Sequence, residues 1–269
     1  MKFSIVTISF NQAQFLEQAI RSVLSQEGVD FEYIVVDPGS TDGSREIIEK
    51  YRSRLAAVIY ERDSGPADGL NRGFARAGGD WFGYLNSDDY YLPGGLAAAA
   101  RAIARHPRAG AVVGNGVLVD EAGGRLRASL SQRHSLARAA YGAAFALQQA
   151  TFYRAEAFRA VGGFNLANRT CWDGEILVDL ALAGHAVARF GADVGAFRLH
   201  GASITGSGRM AALYAQNSAR LFRKIKGRAP GPLEEAVLMP LSRKLWHLAD
   251  PWRSLRLLKD RSERRRSRR

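Results

Sequence analysis

Along the first 120 residues the hydrophobic positions switch repeatedly between two periods. Phe3 to Ser9 is a β-rich run, and from Gln12 to Gln26 the residues Phe15, Leu16, Ala19, Ile20, Val23 and Leu24 recur at helical spacing. Asn11 reads as the N-cap of that helix, with Gln14 three residues on. A second strand spans Phe31 to Val36, and Asp42 is placed to cap a helix bearing Ile47, Ile48 and Tyr51. A strand near Ala57 to Tyr60, a short helix near Asp68 to Ala77 and a strand from Trp81 to Leu85 follow. Next come an Ala-rich helix from Gly94 to Arg105 and a strand from Ala111 to Val119, with a hairpin signal at Glu121 to Gly124. Strands alternating with helices predict right-handed βαβ crossovers and an α/β fold around a parallel sheet.

The middle of the chain is less regular. Gln148 to Tyr153 reads as a strand, Arg154 to Val161 as a short helix and Gly174 to Ala183 as a longer one. Val187 to Phe190 and Val194 to Leu199 read as two further strands. The last third is helical in pattern and broken by GRAPGP at 227–232. Trp252, Leu255 and Leu258 fall on one stripe of a basic amphipathic helix.

Composition narrows the class. With 269 residues, 46% hydrophobic and 24% charged, the chain has room for a full core and one or two domains. No apolar run reaches the length of a bilayer span, and the apolar N-terminus reads as a first strand, not a signal peptide. One cysteine, Cys171, rules out an internal disulfide framework and fits a reducing compartment, so a cytoplasmic location is expected. The net charge of +12 is uneven, because residues 251–269 hold nine Lys or Arg against Asp260 and Glu263. Such a tail is expected to be flexible and to suit an anionic lipid surface, nucleic acid or an acidic partner, or else simply to aid solubility.

The most informative stretch is YLNSDD, Tyr84 to Asp89, where a buried strand ends in Asn86, Ser87, Asp88 and Asp89. In open α/β sheets that strand edge is where ligands bind. Adjacent carboxylates repel each other unless a cation sits between them, and hard cations such as Mg²⁺ or Mn²⁺ share oxygen ligands with phosphates. The alternative is an exposed acidic turn. Other strand ends carry the same mark: Ser9 and Asn11 after the first strand, Asp37 after the second, and Arg62, Asp63 and Asp68 after the third. Parallel strands bring these ends to one edge, which favours a binding site over a series of solvated turns.

FSIVTISFN, EYIVVDPGSTDGS, DSGPADGLNRGF and WFGYLNSDD, in that order, resemble the family 2 glycosyltransferases of the GT-A fold over residues 1 to 205. These are inverting, nucleotide-sugar-dependent enzymes with a mostly parallel, Rossmann-like sheet flanked by helices. The resemblance implies a catalytic domain at 1–205, a helical extension at 206–250 and the basic tail at 251–269. It implies that Asp37 accepts a hydrogen bond from the nucleotide base, most often uracil, with Ser9, Asn11 and Gly39 in the same pocket. Asp68 and Arg72 would flank the diphosphate and sugar. Asn86-Ser87-Asp88 stands at the family's Asp-x-Asp motif, with Asn in place of the first Asp; Asp88 becomes the direct ligand of Mn²⁺ or Mg²⁺, and Asp89 a second ligand or sugar contact. His200 falls where many relatives carry a His that helps hold the metal or diphosphate, although a lone His is more often structural or on the surface.

Within TCWDGE, Asp173 matches the carboxylate that deprotonates the acceptor, with Glu175 as runner-up and Trp172 and Gln149 on the acceptor side. Helix capping is the ordinary reading of Asp37, Asp68 and Asp173, and a first-turn partner of the helix dipole that of Glu175. The expected partners are a nucleotide-sugar donor and a glycan or lipid-linked acceptor, with an anionic membrane surface for the tail. A sugar nucleotidyltransferase is disfavoured because Ser9-Phe10-Asn11-Gln12 stands where its Gly-rich basic loop would be. A nucleic-acid-binding protein acting through the Arg-rich tail leaves the acidic strand ends unexplained.

Overall fold

The computed structural model describes residues 1–201 and 211–245, together with Leu255, Arg256 and Asp260. Strands β1 (Lys2–Ile8), β2 (Asp30–Val36), β3 (Ala57–Ile59) and β4 (Trp81–Asn86) form a parallel block in the order β3-β2-β1-β4. Ile8 pairs with both Val36 and Asn86, so three C-terminal strand ends lie level. These strands are apolar almost throughout because both faces are covered. On one face Phe3, Ile5, Tyr33 and Val35 pack against α1 (Ala13–Leu24) and α2 (Ser44–Lys50). On the other, Val6, Ile34 and Val36 pack against Leu70 and Phe74 of α3 (Pro66–Ala75).

Beyond β4 the sheet becomes mixed. After β5 (Tyr90–Tyr91) and α4 (Gly95–Arg105), β6 (Ala109–Val119) and β7 (Arg125–Ser129) form the expected hairpin. Its turn is pinned by Gly124 N–H donating to the Asp120 carboxylate at 2.7 Å. After α5 (Leu136–Ala140), β8 (Thr151–Arg154) inserts antiparallel between β4 and β6. Then come α6 (Ala155–Ala160), α7 (Trp172–Leu182) and β9 (Ala186–Arg198), which runs parallel to β6 and antiparallel to β5. The chain continues through α8 (Ala211–Lys226), whose Phe222 packs on Ala140 and Met239, into α9 (Met239–Leu245).

Several expectations are corrected. The two strands expected at Val187–Phe190 and Val194–Leu199 are one strand, β9, which absorbs the polar break as register shifts opposite Asn115. Gln148–Ala150 is a 3₁₀ turn leading into β8, not part of the strand. Asn11 does not cap α1. It sits at φ 51°, donates its N–H to Ser40 Oγ at 2.8 Å and accepts from Thr41 N–H at 2.9 Å. Capping falls to Asp42, whose carboxylate accepts from Ala13 N–H at 2.8 Å and from the Ser44 N–H and hydroxyl at 3.1 and 2.6 Å, so one side chain caps two helices.

The break at 227–232 stands: α8 ends at Lys226 and Gly227 turns out at φ 71°. The tail departs from its expectation at two positions. Arg256 donates to the Asp193 carboxylate at 2.8 Å, and Asp260 is buried, accepting from Arg125 at 2.8 Å and from Ala128 N–H at 3.1 Å. Trp252 and Leu258 of the expected stripe lie outside the described residues, and Leu255 is exposed.

Candidate active site

A cavity of about 980 Å³ opens at the C-terminal ends of β1 and β4. Its walls include Ser9, Gly39, Asn86, Ser87 and Asp88 from the parallel block, and Gln149, Trp172 and Asp173 from the second half of the chain. The strand ends therefore converge with the start of α7, as the alternating pattern requires.

Four buried polar atoms on residues of this wall have no hydrogen-bond partner: Ser9 Oγ, Tyr84 Oη, Asp88 Oδ1 and Gln149 Oε1; Asp37 Oδ2, on the residue before Pro38 and Gly39 of the wall and not itself in it, has none either. A buried acceptor without a donor costs about 1–3 kcal/mol, so such a group points to a ligand or an ion. Asp37, fully buried at the end of β2, accepts from Gly39 N–H at 3.1 Å and Ser40 N–H at 2.8 Å on Oδ1. This Asx-type turn leaves Oδ2 without a donor, and Arg45 approaches Oδ1 at 3.4 Å. Pro38 lies beside Gly39 in the cavity wall.

The β4 end is held by long-range contacts. Arg198, buried between the rings of Phe15 and Tyr90, donates Nε to the Asp88 carbonyl at 2.8 Å. Its backbone N–H donates to Asp89 Oδ1 at 2.9 Å. Asp88 Oδ2 lies 3.0 Å from His200 Nε2, and the His200 ring packs on Phe15 with centroids 4.9 Å apart. Among the described residues no three His, Cys, Asp or Glu side chains gather into a ready-made metal cage. Asp88 Oδ1, donorless on the cavity wall, does fit a divalent cation that completes its shell with ligand oxygens and water, while His200, absent from the wall, bonds the other oxygen of the same carboxylate.

Asp89 faces inward and does not line the cavity, contrary to the expectation of a second ligand. Its Oδ2 accepts from Gln149 Nε2 and Asn86 Nδ2, and burial, then the neighbouring Asp88, push its carboxyl well above the ordinary range. Asn86 also donates to Gln148 Oε1 at 3.3 Å, and Ser87 Oγ donates to Gln12 Oε1 at 2.8 Å.

On the α7 side, burial raises the Asp173 carboxyl above its ordinary value, against the lowering effect of backbone N–H groups at the helix start. Trp172 packs on Phe164 and Tyr84 at 4.7 and 5.5 Å, which fixes the first turn of α7. Glu175 is corrected as a base candidate. It is fully buried and absent from the cavity wall, and it is ion-paired to Arg220 and Lys224. Asn165 and Asn168 donate to it at 3.0 and 2.7 Å. Opposed by burial, these partners still hold its carboxyl down at about 2.

Asp68 and Arg72 are likewise absent from the wall, closed on each other by two bonds of 3.1 and 3.0 Å. Arg62 and Asp63 line it instead, and burial raises the Asp63 carboxyl. Arg169, Phe145 and Tyr214 also line the cavity. Tyr214 belongs to α8 and carries no local sequence signal. Asn11 acts indirectly, through Ser40 and Thr41.

Residues 4–162 match the model of Glycosyl transferase family 2. The chain belongs to that family. It is 32% identical over 187 residues to a PGL/p-HBAD biosynthesis glycosyltransferase of Mycobacterium bovis, a segment covering 64% of this chain and 67% of that one. It is 32% identical over 111 residues to the poly(ribitol-phosphate) β-N-acetylglucosaminyltransferase TarS of Staphylococcus aureus, covering 39% of this chain and 19% of that one. For the first curated relatives the matched segments span 30% and 35% of their length.

The fold matches S. aureus TarS 1-349 in complex with UDP-GlcNAc at a TM-score of 0.69, with 20% identity over 93% of this chain and 73% of that one. It also matches the mannosyltransferase PcManGT of Pyrobaculum calidifontis, in complex with GDP-Man and Mn²⁺, at a TM-score of 0.64 and 20% identity, over 93% of this chain and 71% of that one. The α/β architecture is thus that of GT-A glycosyltransferases.

Proposed function

We propose that this family 2 protein is an inverting glycosyltransferase. It moves a sugar from a nucleoside diphosphate donor, UDP-linked in our reading, to a hydroxyl of a glycan or lipid-linked acceptor. Cell-surface polysaccharide synthesis on the cytoplasmic side of a bacterial membrane is the setting that fits. The observation that carries this reading is one cavity joining donorless Asp88 Oδ1 and Ser9 Oγ, at the strand ends, to Asp173 at the start of α7. An inverting transfer needs a cradle for the nucleotide and diphosphate and, apart from it, one carboxylate for the acceptor proton.

In this reading Asp37 Oδ2 accepts the imide N–H of uracil, and Ser9 and Gly39 line the base pocket. Asp88 would hold Mn²⁺ or Mg²⁺, with His200 on the other oxygen of its carboxylate. When bound, that ion offsets the charge growing on the diphosphate. Asp173 takes the acceptor's hydroxyl proton while the new bond forms at C1 and the bond to the diphosphate breaks on the other face. A carboxyl raised by burial is a better base than an exposed Asp. Arg62, in place of Arg72, supplies positive charge in the cavity. Asn86, standing where the family has an Asp, supports Asp89 through its amide and leaves Asp88 as the carboxylate facing the ligand.

The test is a thermal-shift screen of UDP, GDP, CMP and dTDP, each with and without Mn²⁺ or Mg²⁺. UDP should raise the melting temperature in a metal-dependent way, and Asp88→Ala should abolish the shift. No shift with any nucleotide at saturating metal defeats the proposal; a shift with another base alone corrects the donor.

A further inference from the structure

Residues 223–269 carry 15 Lys or Arg against five carboxylates, so they hold a net +10 of the chain's +12 and leave +2 for everything before them. Among the described residues the same region also carries a run of exposed apolar side chains. Of the twelve large hydrophobics exposed among the described residues, five fall in the short stretch Leu233, Val237, Leu238, Leu241 and Leu245. Their spacing keeps to one side of the helical segment, while Glu234 and Met239 turn inward, Met239 onto Phe222 and Ala140.

The backbone supports this arrangement. Pro240 has no N–H for the carbonyl four residues back, and the π-helical turn Glu234–Leu238 immediately before α9 absorbs the mismatch. The turn is tied down by Glu234, which accepts from both arms of Arg228 at 2.7 and 2.6 Å and from Gly231 N–H at 2.6 Å. Leu238, Leu241 and Leu245 also border a shallow, largely apolar cavity of about 330 Å³ beside Tyr141.

We infer that this leucine face, Leu233 to Leu245, is an interfacial membrane-docking element that seats on an anionic bilayer, with the Lys and Arg that flank it in the sequence as its electrostatic complement. An exposed leucine face within a strongly cationic segment is the pattern of a helix lying in the headgroup plane. Each basic residue near an anionic surface adds to the attraction, and salt screens it. Among the described residues no helix is long and apolar enough to cross a membrane, so this face rests on the surface.

Helix α8 ties the element to the cavity. Tyr214 lines the cavity wall and Lys226 ends the helix, twelve residues on, or about 18 Å along the axis. Docking would bring the enzyme to the surface at which a lipid-linked hydroxyl is presented. That last step rests on the glycosyltransferase reading; the docking itself does not.

The experiment is vesicle flotation of the full chain with phosphatidylcholine alone and with added phosphatidylglycerol, at low and high salt. The variants are Leu233→Ser/Val237→Ser/Leu245→Ser and, separately, Arg264→Gln/Arg265→Gln/Arg266→Gln. The wild type should float with anionic vesicles only, and less at high salt. The serine variant should bind at least tenfold more weakly at an unchanged melting temperature, and the glutamine variant several-fold more weakly. Wild type that stays with the soluble fraction, or a serine variant that floats equally well, overturns the inference. A wild-type dimer without vesicles that the serine variant dissolves also overturns it, because the face then belongs to a second copy. Flotation needs neither donor nor acceptor, so its failure leaves nucleotide binding untouched, and failure of the nucleotide screen leaves flotation to be read by itself.

Discussion

Asp173 is the carboxylate on which chemistry and stability pull apart. Burial raises its folded pKa, so the native state binds its proton more tightly than the unfolded chain does. Its ionisation therefore costs stability as the pH rises from the ordinary Asp range through the raised value. Asp173→Asn removes that cost. We expect the variant to lose transfer by about 10²–10⁴-fold while its melting temperature at neutral pH is equal to or above the wild type's, with UDP binding retained. The gain should shrink as the pH falls through the raised pKa, measured by thermal denaturation across pH. In the wild type, transfer should fall on the acid side at a pH above the usual Asp range.

Residue type and order were enough to place Ser9, Gly39, Asn86, Ser87, Asp88, Gln149, Trp172 and Asp173 around one cavity. They were not enough to say which way a carboxylate faces. Asp89 and Glu175 look as eligible as their neighbours in the sequence, yet each is claimed by partners far along the chain, Arg198 for one and Arg220 for the other.

At the scale of elements, period and turn chemistry carried most of the reading. The parallel block and its crossovers were legible because buried strands and amphipathic helices differ in period. The order of the other strands was not, since β8 enters antiparallel and β5 is two residues long, too short to show a period. Close approach of elements was also hidden. A Cβ at Gly73 of α3 would lie 2.6 Å from Val6 Cγ1 and 3.4 Å from Val36 Cγ2, so the helix seats directly on β1 and β2 through this glycine. Gly73→Ala should destabilise the protein by about 1–3 kcal/mol, read from the denaturant midpoint at constant m-value, because helix and sheet must part to admit the methyl group. An unchanged midpoint would mean that the seam is looser than the contact distance implies.

For the whole molecule, the question is how two halves of the chain are held at one cavity. The strand-end half ends at β4, while Asp173 sits on α7, and α8, outside the segment matching the family, braces α7. Arg220 and Lys224 of α8 grip Glu175, and Asn217 donates to Thr170 Oγ1 at 2.7 Å, just before α7. Tyr214, on the same helix, lines the cavity. Glu175, held down at about 2 from an ordinary 4.5, contributes stability that is fully present above pH 4.5 and is lost as the pH falls towards 2.

Glu175→Gln should cost about 2–4 kcal/mol at neutral pH and flatten the loss of stability between those two values, because a broken buried pair leaves its cations uncompensated. Arg220→Met tests the brace more finely. If α8 sets the position of Asp173, this variant should keep the UDP-induced thermal shift, whose residues lie on the other half, and lose transfer at least tenfold through kcat. An Arg220→Met protein with wild-type turnover would reduce α8 to a lid over α7. One that loses nucleotide binding as well would show that the two halves fold and act as a single unit.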